Sequence, residues 1–214
     1  MNLAEILLAI ALSLPTPWYK PGKNPETAIE YRERMQTIAQ AIVLEAEASE
    51  EWEFDSTSLA AATFVTWYAE SRFALEVHNG SGKSRFGEDA GQARCLGQLH
   101  KTGWVPKSQW LKLTGTDLES TRRCARATIK VLANQAKRCG MKKKPSMWGV
   151  ARMQAAYGHG MNCSPTKAST ARARRWTKLM DTIETMNVQQ TEAAQPEASQ
   201  PDAAKPQAAL PQKI

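Results

Sequence analysis

Residues 63–73, TFVTWYAESRF, set one carboxyl group where acid–base chemistry could be done. Leu59, Thr63, Thr66 and Trp67 recur at helical spacing, and Glu70 follows three residues after Trp67 on the same stripe. Trp67 and Phe73 give that position apolar neighbours. A carboxyl among apolar groups resists ionisation. A carboxylic acid that still carries its proton near neutral pH is what general-acid catalysis requires. The competing reading is a helix-end Glu that points into water.

Two later segments bear on that choice. Residues 91–99, GQARCLGQL, close a stretch rich in Gly, Ser and charge, and residues 155–160, AAYGHG, end a helical pattern. In this order and spacing the three segments resemble the motifs of the lysozyme-like lytic transglycosylase family: an ES pair, a GLMQ-like motif and an AAYNAG-like motif. The resemblance covers about residues 45–185. It implies a lysozyme-like helical domain with an irregular loop or small β-hairpin by the active-site cleft. It also implies cleavage of the β-1,4 bond between N-acetylmuramic acid and N-acetylglucosamine in peptidoglycan, with no cofactor.

Carried over residue by residue, Glu70 matches the family's catalytic acid/base and Ser71 the residue that helps orient it and the substrate. Gln98 matches the glutamine that hydrogen-bonds in the sugar cleft, and Tyr157 the tyrosine that closes over the carboxyl. His159 is a cleft, core or turn residue, and its place in the third motif favours the cleft. Two departures stand out. Cys95 occupies the usual first glycine of the second motif, with Gly97 at the variable position, and Gly158 and His159 replace the third motif's Asn-Ala. The Asn tends to hold the reacting sugar, so the second departure bears on substrate preference.

A single carboxyl suits transglycosylation, in which the muramyl 6-hydroxyl closes a 1,6-anhydro ring; a hydrolase wants a second carboxylate to activate water. Glu88 and Asp89 are the candidates for that second carboxylate, although a solvated loop pair is their simpler reading. A non-enzymatic protein that keeps the fold is an alternative, as is a hydrolytic muramidase.

The elements that must position these residues are helical, and the fold class is mainly α. An apolar run with Leu3, Leu7, Ile10 and Leu14 at helical spacing opens the chain. Glu5 interrupts it and no Lys or Arg precedes it, so a retained docking helix is favoured over a cleavable signal. It is too short to span a bilayer. Pro15, Pro17, Pro21 and Gly22 follow as a linker, which gives an N-terminal helix and linker over residues 1–22. Asn24 with Pro25 predicts the next helix start, and Ala28, Tyr31, Met35, Ile38 and Ile42 predict its apolar stripe to about Ala48. Asp55, Ser56 or Thr57 caps the helix of Glu70. Asp117 caps a helix carrying Thr121, Ala125, Ile129, Leu132 and Ala136 and ended by Gly140, and Ser146 caps another. A last helix over about 166–186 turns Trp176, Leu179, Met180 and Ile183 inward and Arg172, Arg174, Arg175 and Lys178 largely outward. The domain thus spans 23–187, and the Ala/Gln/Pro-rich segment 188–214 reads as a disordered tail.

Charge divides along the chain. Residues 1–99 carry 8 Lys and Arg against 14 Asp and Glu, whereas residues 100–187 carry 18 against 4. A basic half implies a polyanionic partner, and an acidic cell wall fits it; beyond charge nothing marks a specific nucleic-acid site. The lysine run 142–144 and the Arg172–Arg175 group read as surface charge. Trp104 and Trp110 are candidates for sugar stacking, with core packing the commoner role. Cys95, Cys124, Cys139 and Cys163 lack metal-site spacing; a Cys139–Cys163 bridge is one pairing, and Cys124 can be a small buried hydrophobe. A peptidoglycan-cleaving enzyme of this kind acts in the periplasm or at the cell wall. It could be carried in a phage virion or a secretion machine through the N-terminal helix or the tail.

Overall fold

The computed structural model describes residues 1–15, 26–50, 55–80, 93–100, 105–141, 145–158, 160 and 162–193. The expected mainly α class is what these residues form. The elements in chain order are α1 (Leu3–Ser13), α2 (Ala28–Glu47), α3 (Ser56–Ser71), α4 (Leu75–His78), β1 (Ala93–Arg94), β2 (Leu99–His100), α5 (Lys107–Trp110), α6 (Leu118–Arg138), α7 (Met147–Gly158) and α8 (Lys167–Ala193). None of the described helices is long and apolar enough to cross a membrane.

Helix α3 is the centre. Every residue from Ser58 to Tyr68 is buried, so it is covered on all sides, by α2, α6 and α8. Three consecutive alanines, Ala60 to Ala62, let neighbours approach its backbone, and the hydroxyls of Thr63 and Thr66 donate to the carbonyls of Leu59 and Ala62 one turn back. Asp55 caps its start by accepting from the Ser58 N–H.

Helix α1 packs against α2 with Ile6, Leu7 and Ala11 buried in the same cluster as Met35 and Ile38. The expected docking helix is therefore part of the core, and its apolar face is already covered. The expected start of α2 at Asn24 and Pro25 is corrected to Thr27. Thr27 and Glu30 form a reciprocal capping box that satisfies two backbone N–H groups, and this fixes the helix start. At the other end of the chain α8 continues to Ala193, past the expected boundary at 187. Gln, Glu and Ala are good helix formers, and extending an existing helix avoids the cost of nucleation. Residues 16–25, which hold most of the expected linker, the lysine run 142–144, Trp104 and the segment 194–214 lie outside the described residues.

Two titratable side chains are buried in the core. Glu45, 4 % exposed, joins α2 to α6 through Arg122 Nε at 2.7 Å and Arg126 Nε at 2.7 Å. Its carboxylate holds the Arg126 guanidinium's pKa above the ordinary value. His78 is fully buried, with Nε2 2.9 Å from Thr121 Oγ1. Burial, seconded by the Arg34 cation and opposed by Asp117, lowers its pKa from 6.5 to about 3. Between these values the unfolded chain binds a proton that the folded one refuses. The contribution of His78 to stability is therefore full above pH 6.5 and falls as pH drops towards 3, at about 1.4 kcal/mol per pH unit for one proton. Urea unfolding of His78→Leu across this window is expected to show a slope shallower by close to one proton. An unchanged slope would show that the folded protein protonates His78 freely.

Candidate active site

The site is built at the C-terminal end of α3. The Ser71 hydroxyl donates to the Trp67 carbonyl at 2.7 Å and accepts from the Phe73 N–H at 3.2 Å. Ser71 therefore closes the helix, and these two bonds are to backbone. Arg72 and Phe73 turn the chain with φ of 54° and 55°. Arg34 of α2, locked by Glu26 at 2.6 Å, donates to the Phe73 carbonyl at 2.8 Å. Phe73 packs on Phe64 and Tyr68 with ring centroids 5.1 and 5.7 Å apart. Glu70 is thus carried on a fixed platform.

The second segment forms a tight turn between β1 and β2, which pair antiparallel with Ala93 opposite His100 and Arg94 opposite Leu99. Cys95 and Gln98 have φ of 56° and 49°. All four non-glycine residues of positive φ among the described residues thus lie in this turn or just after Glu70. Strain of this kind concentrates at functional sites, where the surroundings hold it in place. The turn is fastened on three sides. A disulfide joins Cys95 to Cys124 of α6, so Cys124 is not the lone buried hydrophobe that the sequence allowed. The Tyr157 hydroxyl of α7 donates to the Gly97 carbonyl at 2.6 Å. Gly97 itself presses against the Trp67–Thr128 hydrogen bond of 2.9 Å. A Cβ built on Gly97 would lie 2.5 Å from Thr128 Oγ1, 3.0 Å from the Tyr157 hydroxyl and 3.2 Å from Trp67 Nε1. That close approach explains glycine at this position.

Arg172 of α8 completes the arrangement and corrects two expectations: its own outward place, and the apolar setting of Glu70, which is instead ion-paired. Its Nη1 donates to Glu70 Oε1 at 2.6 Å, with the two side chains 17 % and 20 % exposed. Arg174, Arg175 and Lys178 stay exposed as expected. Tyr157 lies close enough to feel both charges: burial raises its pKa, Glu70 raises it further and Arg172 opposes. Its phenol therefore stays protonated and acts as a donor.

No protein-family model matches the chain, and no curated protein or solved structure matches it.

Of the expected site residues, Tyr157 is hydrogen-bonded to the turn of Gly97 and Gln98, and Glu70 bears on Tyr157 through its charge. The Gln98 side-chain amide donates to the Cys95 carbonyl at 3.2 Å, within its own turn. Glu88, Asp89 and His159 lie outside the described residues. Trp110 is half-buried, donating to the Leu99 carbonyl at 2.8 Å with the Arg94 guanidinium 4.2 Å from its ring centroid. Among the described residues no three His, Cys, Asp or Glu side chains are grouped to hold a metal ion. A groove of about 560 Å³, lined by residues of α2, α5 and α6 that include Glu45, Gln109 and Lys130, has none of the Glu70 cluster in its wall. The sequence reading missed Arg172, although the signal was present. Arg172 precedes Trp176 by four residues, and with Leu179 and Ile183 it continues the buried stripe of α8.

Proposed function

We propose that this protein cleaves peptidoglycan at the β-1,4 bond between N-acetylmuramic acid and N-acetylglucosamine, on a lysozyme-like helical domain, by lytic transglycosylation. The observation that carries the reading is the shielded carboxyl of Glu70, held by Arg172 on the helix end whose Trp67, together with Tyr157, packs on a strained, glycine-tight turn. Arg172 engages Oε1, and among the described residues Oε2 has no hydrogen-bond partner. The proposed reaction requires a proton on Oε2 while Arg172 holds Oε1, and Glu70 gives that proton to the glycosidic oxygen as the bond to muramyl C1 breaks, with an oxocarbenium-like transition state. The carboxylate so formed, steadied by Arg172, takes the proton of the muramyl 6-hydroxyl. Oxygen 6 then bonds C1 to close the 1,6-anhydro ring, and Glu70 is returned to its starting state without consuming water. Tyr157 keeps the second motif's turn against α7 while this happens.

Two disulfides, Cys95–Cys124 and Cys139–Cys163, suit an oxidising compartment such as the periplasm, and the basic half of the chain suits an anionic wall. Carriage in a phage virion or a secretion machine would use surfaces other than the covered face of α1.

Purified peptidoglycan digested with the protein is expected to yield 1,6-anhydromuramyl products, which mass spectrometry separates from hydrolytic products by one water. Hydrated products throughout would move the reading to a muramidase, with Glu88 or Asp89 positioning the water. Intact peptidoglycan after prolonged digestion would overturn it.

A further inference from the structure

Arg172 has more hydrogen-bonding capacity than Glu70 uses. A guanidinium offers five N–H donors in a planar fork. Only one contact, Nη1 to Glu70 Oε1, is made among the described residues, at a side chain still 17 % exposed. Gly158, which is exposed and has no side chain, lies beside it. A Cβ built on Gly158 would lie 3.9 Å from Arg172 Nη1, so the glycine leaves this side of the guanidinium without a side chain against it. The neighbouring cations of α8, Arg174 and Arg175, are exposed and leave Arg172 as the partly buried one beside the acid.

We infer that Arg172 determines substrate specificity by receiving a carboxylate of the glycan next to the bond that Glu70 cleaves. This rests on the wall-cleaving reading above and adds the chemical feature that the site selects. Paired, forked hydrogen bonds to a carboxylate are what arginine supplies and lysine does not. The charges also agree. With a substrate carboxylate on Arg172 and the proton still on Glu70, one cation faces one anion. Peptidoglycan offers this chemistry from two sources, the peptide stem and the lactyl group of a muramic acid freed of its peptide.

The test uses the full chain on two soluble glycans, one bearing peptides and one stripped of them, each before and after its carboxylates are converted to neutral amides. For the wild type, kcat/KM is expected to fall about ten- to hundred-fold on amidation, the size of a charge-assisted hydrogen bond. In Arg172→Gln the same amidation is expected to change kcat/KM by less than about twofold, and in Arg172→Lys, which keeps the charge but not the fork, by clearly less than in the wild type, whatever their absolute rates. A loss of the amidation effect confined to one glycan identifies the peptide or the lactyl group as the source. If Arg172→Gln does not fold, Arg172→Lys, which keeps the charge beside Glu70, carries the comparison. A wild type indifferent to amidation, or variants as sensitive as the wild type, overturns the inference. Glu70→Gln with undiminished cleavage would instead overturn the enzymatic reading beneath it.

Discussion

Glu70→Gln is expected to abolish peptidoglycan cleavage while leaving the fold intact. The substitution removes the one proton that the proposed reaction transfers and changes the volume little. The Gln carbonyl oxygen can still accept from Arg172, and α3 is held by Trp67, Ser71 and Phe73 rather than by the carboxyl. A placed general acid is worth about a hundred- to ten-thousand-fold in rate. Turbidity clearance of purified cell walls would show the loss, and an unfolding curve superimposable on the wild type would show that it is chemical. Clearance at the wild-type rate would remove Glu70 from the mechanism, whatever its geometry.

The second large effect concerns the turn beside it. Replacing both Cys95 and Cys124 with Ala is expected to cost about 3–4 kcal/mol of stability, because the bridge closes a loop between residues 29 apart and that constraint is lost from the unfolded chain. Equilibrium unfolding in urea measures it. The double variant isolates this bridge, whereas reduction would also open Cys139–Cys163. Activity is expected to fall as well, since Cys95 and Gln98 sit in left-handed conformations that the bridge helps to impose next to Gly97. A cost below about 1 kcal/mol would show that Tyr157 and the packing of Gly97 hold the turn without the disulfide.

What the sequence determined by itself was whatever depends on near neighbours in the chain. The helical periodicity of α3, the Asp55 and Asp117 caps, the glycine stop after α6 and the inward face of α8 at Trp176 and Ile183 all follow from residues within a few turns of one another. The prominence of Glu70 on an apolar stripe was legible for the same reason. Only the tertiary structure decided partners that lie far along the chain. Arg172 reaches Glu70 across 102 residues, Trp67 reaches Thr128 across 61, and Glu45 meets Arg122 and Arg126 across 77 and 81. An arginine on a helix reads as solvated because most are, and only a facing carboxylate makes it inward. Glu45 and His78 are likewise buried beside partners on α6, two arginines and a threonine, that periodicity does not reveal. The role of Gly97 was hidden most deeply. Its small size matters because an indole, a threonine hydroxyl and a phenol from three separate helices converge on it, and that convergence is a property of the packed fold.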